Sequence, residues 1–191
     1  MFNLILFGPP GAGKGTQSKK IAGKYGYKHI STGDILRSEI SRDTVLGREV
    51  RTYIDRGALV PDQVLINILA DVVEREHDTR GLIWDGFPRT IIQAEAFDRL
   101  LEEKGQKVNL VISLEVELQE LVRRLVNRGI EDGRSDDSES IILQRQNIYR
   151  NTTQPLISFY RNQGKLASIN GIQAVERVFE QICFRIEQNH I

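Results

Sequence analysis

Short apolar runs alternate with longer amphipathic stretches along the chain. Phe2 to Phe7 is a run rich in strand-forming residues, and it stops at Gly8. Residues 14 to 24 take helical spacing, with Ile21 and Ala22 flanked by lysines. A short strand fits Lys28 to Ile30, and helical patterns follow over 33–43, 47–55 and 62–76. Leu82-Ile83-Trp84 is a second apolar run, ending at Asp85-Gly86, and a helix fits 90–103. Val108 to Leu114 is a third, followed by a helix over 116–128. Leu166 to Ile169 is a fourth, and the stretch from Ala174 to about Glu187 is helical. Strand runs separated by helices predict βα units and a parallel sheet, an α/β fold.

Two segments break the rhythm. Residues 31 to 60 hold helical patterns with no core strand between them, which predicts an insertion over the sheet. Residues 129 to 137 read Gly-Ile-Glu-Asp-Gly-Arg-Ser-Asp-Asp, a polar, glycine-punctuated stretch expected to form a mobile loop. There is no internal repeat and no long linker, so the 191 residues are expected to make one domain.

Charge adds a constraint. The chain has 26 basic and 26 acidic side chains, so no overall field draws it to nucleic acid or to anionic lipid. An anion site has to be a local gathering of bases. Cys183 is the only cysteine, which rules out a disulfide within the chain and a thiolate zinc cluster. It reads as a core filler. A single cysteine and the lack of an apolar stretch near 20 residues fit a soluble protein of the reducing cytoplasm.

The first apolar run leads into chemistry. Gly8-Pro9-Pro10-Gly11-Ala12-Gly13-Lys14-Gly15-Thr16 follows a strand and opens a helix, with G-x-x-x-x-G-K spacing. Phosphate needs several N–H donors converging on it. Gly11 and Gly13 let the backbone turn tightly and approach closely, and the helix N-terminus adds its positive end. Lys14 brings a positive charge to the outer phosphates. Gly15 stands where such loops usually carry a magnesium-binding hydroxyl. Either Thr16 substitutes through another geometry, or the metal is held by phosphates, water and a carboxylate elsewhere. Asp85, at the end of an apolar strand, lies where parallel sheets bind ligands. It is a candidate carboxylate for magnesium, acting through water, or else a turn cap.

From the phosphate loop onward the chain resembles the adenylate kinases. Ser31-Thr32-Gly33-Asp34-Ile35-Leu36-Arg37 looks like their monophosphate-binding segment. Asp85-Gly86-Phe87-Pro88-Arg89, with Gln93, looks like their central-strand motif. Arg124 to Gly129, then Gly133-Arg134-Ser135-Asp136-Asp137, then Arg145, looks like their lid region. The likeness covers nearly the whole chain in order. It implies a three-layer P-loop fold with five parallel strands, a monophosphate-binding insertion at 31–60 and a short lid at 127–137. Longer family members sometimes carry four zinc ligands in the lid. This chain has neither the length nor the cysteines, so no zinc is expected.

The resemblance implies roles as well. Gly11, Ala12, Gly13, Lys14, Gly15 and Thr16 would wrap ATP, with Arg128 and, more loosely matched, Gln173 as further contacts. Thr32, Arg37, Gly86, Phe87, Pro88, Arg89 and Gln93 would hold AMP, with Ala58, Leu59 and Val60 lining the base pocket. Arg134 and Arg145 would close on the phosphates, Arg134 standing in water away from Arg37 and Arg89 until they bind. Lys14, Arg89, Arg128, Arg134 and Arg145 form the implied catalytic set. The Phe87–Pro88 bond would be cis. Magnesium is the implied cofactor, ATP, AMP and ADP the implied partners, and a monomer the implied state. Arg124 shares a helix face with Arg128 and reads equally as surface or function. Asp34 reads as a helix cap, Asp136 and Asp137 as lid hinges or pairing groups. His29, His77 and His190 read as structural or surface residues.

The implied reaction is ATP + AMP ⇌ 2 ADP. A UMP/CMP kinase is the near alternative, where alanine is common at the position of Thr32. A P-loop hydrolase is a different class, but it would not need a second set of phosphate-binding arginines.

Overall fold

The computed structural model describes residues 1–76 and 78–189, so His77 and His190 lie outside the described residues. Five strands, β1 (Phe2–Phe7), β2 (Lys28–Ser31), β3 (Gly81–Asp85), β4 (Val108–Glu115) and β5 (Leu166–Asn170), form one sheet. All pair in parallel, in the order β2-β3-β1-β4-β5. The helices are α1 (Lys14–Tyr25), α2 (Thr32–Ser41), α3 (Val45–Asp55), α4 (Asp62–Arg75), α5 (Ile91–Glu103), α6 (Leu118–Asp132), α7 (Glu139–Ile148), α8 (Pro155–Asn162) and α9 (Val175–Gln188). A 3-10 turn covers Ser135–Asp137 and a π turn covers Tyr149–Thr153.

The central strand β1 is apolar at almost every position because both its faces are covered. Leu4 and Leu6 point into one core with Ile83, Ile112, Ile21 of α1, Leu121 of α6 and Ile182 of α9. Ile5 and Phe7 point into the other with Trp84, Leu69 of α4, Phe97 of α5 and Tyr160 of α8. The layers are therefore helix, sheet, helix. Burying Trp84 requires a partner for its indole N–H, and Nε1 donates to Asn3 Oδ1 at 3.1 Å.

The inserted segment is a helical hairpin. Ser31 caps α2, its hydroxyl accepting from Asp34 N at 3.2 Å, so the cap is Ser31 and not Asp34. Gly47 lets α3 lie directly on α2: a Cβ there would stand 2.1 Å from Glu39 O. No described helix is long and apolar enough to cross a membrane.

Three differences from the sequence pattern bear on the site. Helix α6 continues to Asp132, through residues expected to be loop. Gly129 is thus helical, and a Cβ on it would stand 3.1 Å from Asp137 Cβ, so it serves close approach and not a hinge. Gly133 ends the helix at φ 62°, the left-handed cap that glycine favours. Helices α7 and α8 follow, where the apolar pattern marks no element.

Candidate active site

The β1–α1 loop wraps the carboxyl end of the central strand. Gly11 and Gly13 sit at φ 88° and 93°, outside the range of ordinary residues. A Cβ on Gly11 would meet Leu121 O and Leu125 Cγ, each at 3.0 Å, so the loop packs against α6. Lys14 turns back across the loop and donates to Gly8 O at 2.8 Å and Pro9 O at 3.1 Å. Burial pushes its ammonium down to about 8, against the pull of Asp85 and reinforced by Arg89, Arg145 and Arg128. Thr16 is exposed on α1.

The neighbouring strand β3 ends in Asp85. Its Oδ2 lies 3.3 Å from His29 Nε2 and 3.8 Å from where a Cβ on Gly15 would stand. The chain then turns at Gly86, φ 80°, and passes the Phe87–Pro88 bond, which is cis. Arg89 Nε donates to Gly86 O at 2.7 Å. Burial lowers the Arg89 guanidinium to about 10, and Arg145 adds to the effect. Thr32 is buried, and its hydroxyl donates to Gly86 O at 3.0 Å. Gln93 is fully buried, accepting from Arg89 N at 2.7 Å and donating to Asp62 Oδ1 at 2.7 Å. Thr32 and Gln93, both among the implied AMP contacts, are thus engaged within the protein.

A third group comes from α6, the 3-10 turn and α7. Asp137 has a side chain 0% exposed, and Arg128 grips it with two bonds, Nε to Oδ2 at 2.7 Å and Nη2 to Oδ1 at 2.8 Å. Arg145 reaches the same carboxylate at 2.7 Å and Asp136 Oδ2 at 2.8 Å. Burial opposes the charge on Arg128, but Asp137 outweighs it and the guanidinium titrates higher than usual. Arg145 and Arg134 titrate lower, chiefly through burial, and Arg128 and Arg37 repel both. Arg37 pairs with Asp34 at the start of α2.

These elements enclose a cavity of about 630 Å³, within the range that takes small-molecule ligands. Lys14, Arg37, Arg89, Arg128, Arg134 and Arg145 all line it, and basic side chains outnumber acidic ones around it. Arg134 does not stand away in water. It shares the cavity with Arg37, and its Nε lies 3.3 Å from Asp132 Oδ2. The reason is that Asp132, Asp136 and Asp137 supply the negative charge that gathers these cations. A cleft of about 40 Å³ beside Thr32, Ala58, Leu59 and Val60 lies next to the main cavity, with Arg37 and Arg89 in both walls. Gln173 lines the far end, accepting from Gln181 Nε2 at 2.9 Å. Arg124 clamps the β5–α9 loop, with Nη1 and Nη2 each 3.2 Å from Gly171 O.

Two side chains outside the sequence expectations also touch the site. Gln146 on α7 is buried and donates to Pro10 O at 3.0 Å. Thr153 in the π turn is buried and donates to Arg89 O at 3.0 Å. Gln146 had no signal in the sequence, because the face of α7 that it shares with the buried Ile142 also carries Ser138, Glu139 and Arg145 and so shows no apolar stripe.

An anion-binding loop, a strand-end carboxylate and converging arginines suit phosphoryl transfer between two phosphorylated ligands. Comparison with known proteins agrees. The family model described as adenylate kinase matches residues 6–165. An adenylate kinase of Bacteroides thetaiotaomicron is 48% identical over 188 residues, 98% of this chain and 100% of the relative. One of Synechococcus sp. is 48% identical over 183 residues, 95% and 94% of the two chains. One of Porphyromonas gingivalis is 43% identical over 178 residues, 93% and 92%. The chain belongs to the adenylate kinase family and is a nucleoside monophosphate kinase, a phosphotransferase.

Proposed function

We propose that the enzyme catalyses ATP + AMP ⇌ 2 ADP, working as a monomer in the cytoplasm with magnesium. Cations from five separate segments around one cavity carry the proposal: Lys14 on α1, Arg37 on α2, Arg89 after β3, Arg128 on α6 and Arg145 on α7. Two polyanions repel, and a site that holds both end to end needs charge from several directions. Arginine suits this because its fork meets phosphate oxygens in pairs.

In this reading the β1–α1 loop and Lys14 hold the ATP phosphates, Arg37 and Arg89 hold the AMP phosphate, and Arg128, Arg134 and Arg145 bear on the moving group. An AMP phosphate oxygen bonds to the γ-phosphorus as the bridging β–γ P–O bond breaks. The acceptor is already ionised, so no general base is required. Residues 31–60 act as the AMP-binding insertion and 127–137 as the short lid. The cleft at Ala58 to Val60 continues into the main cavity through Gly57, Leu59 and Arg37, and the two together would take the base.

The described residues hold no cluster of three or more metal-ligating side chains. One carboxylate beside the phosphate loop, Asp85, still fits magnesium, which keeps much of its water and takes phosphate oxygens as ligands. Bound there, the ion neutralises phosphate charge. Asp85 would hold it through water. The test is a coupled assay with ATP and AMP, GMP, CMP or UMP in turn. AMP is expected to be much the best acceptor. Preference for UMP or CMP rejects the proposal.

A further inference from the structure

The segment that carries Arg145 touches two other parts of the site through backbone carbonyls. Helix α7 buries Ile142 and Gln146, one turn apart. A buried glutamine is costly unless its amide is hydrogen-bonded. Gln146 meets that demand by donating to Pro10 O at 3.0 Å. The next element, the π turn, buries Thr153, which donates to Arg89 O at 3.0 Å. Single π turns are rare and are often found at functional sites.

The carbonyls matter because of what shares their peptide planes. In a trans peptide the C=O and the following N–H point in opposite directions. Fixing Pro10 O therefore fixes the direction of the Gly11 N–H in the phosphate loop. Gly8 O and Pro9 O are already held by Lys14, so Gln146 secures the next carbonyl in line. Fixing Arg89 O likewise restrains the backbone from which the Arg89 guanidinium projects. Arg145, adjacent to Gln146, faces Asp136 and Asp137 on the lid side.

We propose that Gln146 and Thr153 are positioning residues, and that α7 with its π turn is a brace holding the phosphate loop, Arg89 and Arg145 in mutual register for phosphoryl transfer. The inference rests on the reaction proposed above. Neither side chain is required to touch a nucleotide. Their effect lies in the direction of donors, which counts most in the transition state.

The test uses Gln146→Leu and Thr153→Val in the full-length enzyme, each close to the original volume but without the donor. Initial rates over a grid of ATP and AMP concentrations are set beside thermal unfolding of the same proteins. Each variant is expected to lose about five- to tenfold in kcat, the scale of one hydrogen bond. KM for each nucleotide should stay within about twofold, the pattern of an interaction realised in the transition state. Gln146→Leu should unfold within a few degrees of wild type, the burial of an apolar side chain offsetting the lost bond to Pro10 O. Wild-type kcat in both variants overturns the inference, as does a fall in unfolding temperature that alone accounts for the lost rate. A wild-type enzyme that does not phosphorylate AMP would instead defeat the proposed reaction, so the two failures are distinguishable.

Discussion

At the scale of single residues, burial is what makes the site's cations reactive to their surroundings. Lys14 belongs to a loop whose carbonyls it bridges, and its ammonium titrates at about 8, chiefly through burial. Its folded value lies below the 10.5 of an exposed lysine. Holding it charged therefore costs stability below about pH 8, and the cost is relieved as pH rises toward 10.5. Function runs the other way, because transfer needs the charge. The kcat/KM of the free enzyme should fall as pH rises through about 8. The corresponding limb of kcat should lie higher, since bound phosphates favour the ammonium. Lys14→Met should lose roughly a thousandfold or more in turnover and unfold no more easily than wild type at neutral pH. A flat kcat/KM profile from pH 7 to 10, or near-normal turnover by the variant, removes Lys14 from the mechanism.

At the scale of elements, β1, β3 and β4 read as plain apolar runs because they are parallel strands covered on both faces, whereas the edge strand β2, Lys28–Ser31, buries only Ile30 and has no such run. Of the helices that pack the strands, α4 was legible because Leu65, Leu69 and Val72 form a continuous buried stripe, while α8 was missed although it buries Leu156 and Tyr160. Helix α7 was not legible. Its inner face carries Arg145 and Gln146 toward the site, while Leu143 is exposed, so the stripe is broken by function. The phosphate loop, Asp85 and the arginines were readable from motifs. Asp136 and Asp137 were read as hinges or pairing groups, and they pair; which arginines they meet was not legible, because pairing of Asp137 with Arg128 and Arg145 depends on where the 3-10 turn folds back. Gly129, the first residue of the stretch expected to be loop, is helical instead. It sits in α6 because Asp137 lies against it. Alanine there gains about 1 kcal/mol of helix propensity. Asp137, however, is held by two arginines and has no room to retreat. Gly129→Ala should therefore lower the urea midpoint instead of raising it, and a stabilised variant would show that the contact yields.

At the scale of the whole molecule, the sheet brings the carboxyl ends of β1 and β3 together, and the insertion, α6 and α7 roof the crevice with arginines. The resemblance led us to expect that phosphate alone draws Arg134 toward Arg37. Three aspartates, Asp132, Asp136 and Asp137, already hold the lid-side arginines around the cavity. Nucleotide phosphates would then compete with a carboxylate scaffold instead of meeting scattered cations, which keeps the donors ordered before substrate arrives. Such a site would pass a phosphoryl group between two nucleotides, and closing over them would keep water out. The most direct measurement supplies only ADP and magnesium and follows the products by phosphorus NMR. ATP and AMP should form in equal amounts with no inorganic phosphate, and Lys14→Met should abolish both. Steady release of inorganic phosphate, with no AMP-dependent transfer, would contradict the account.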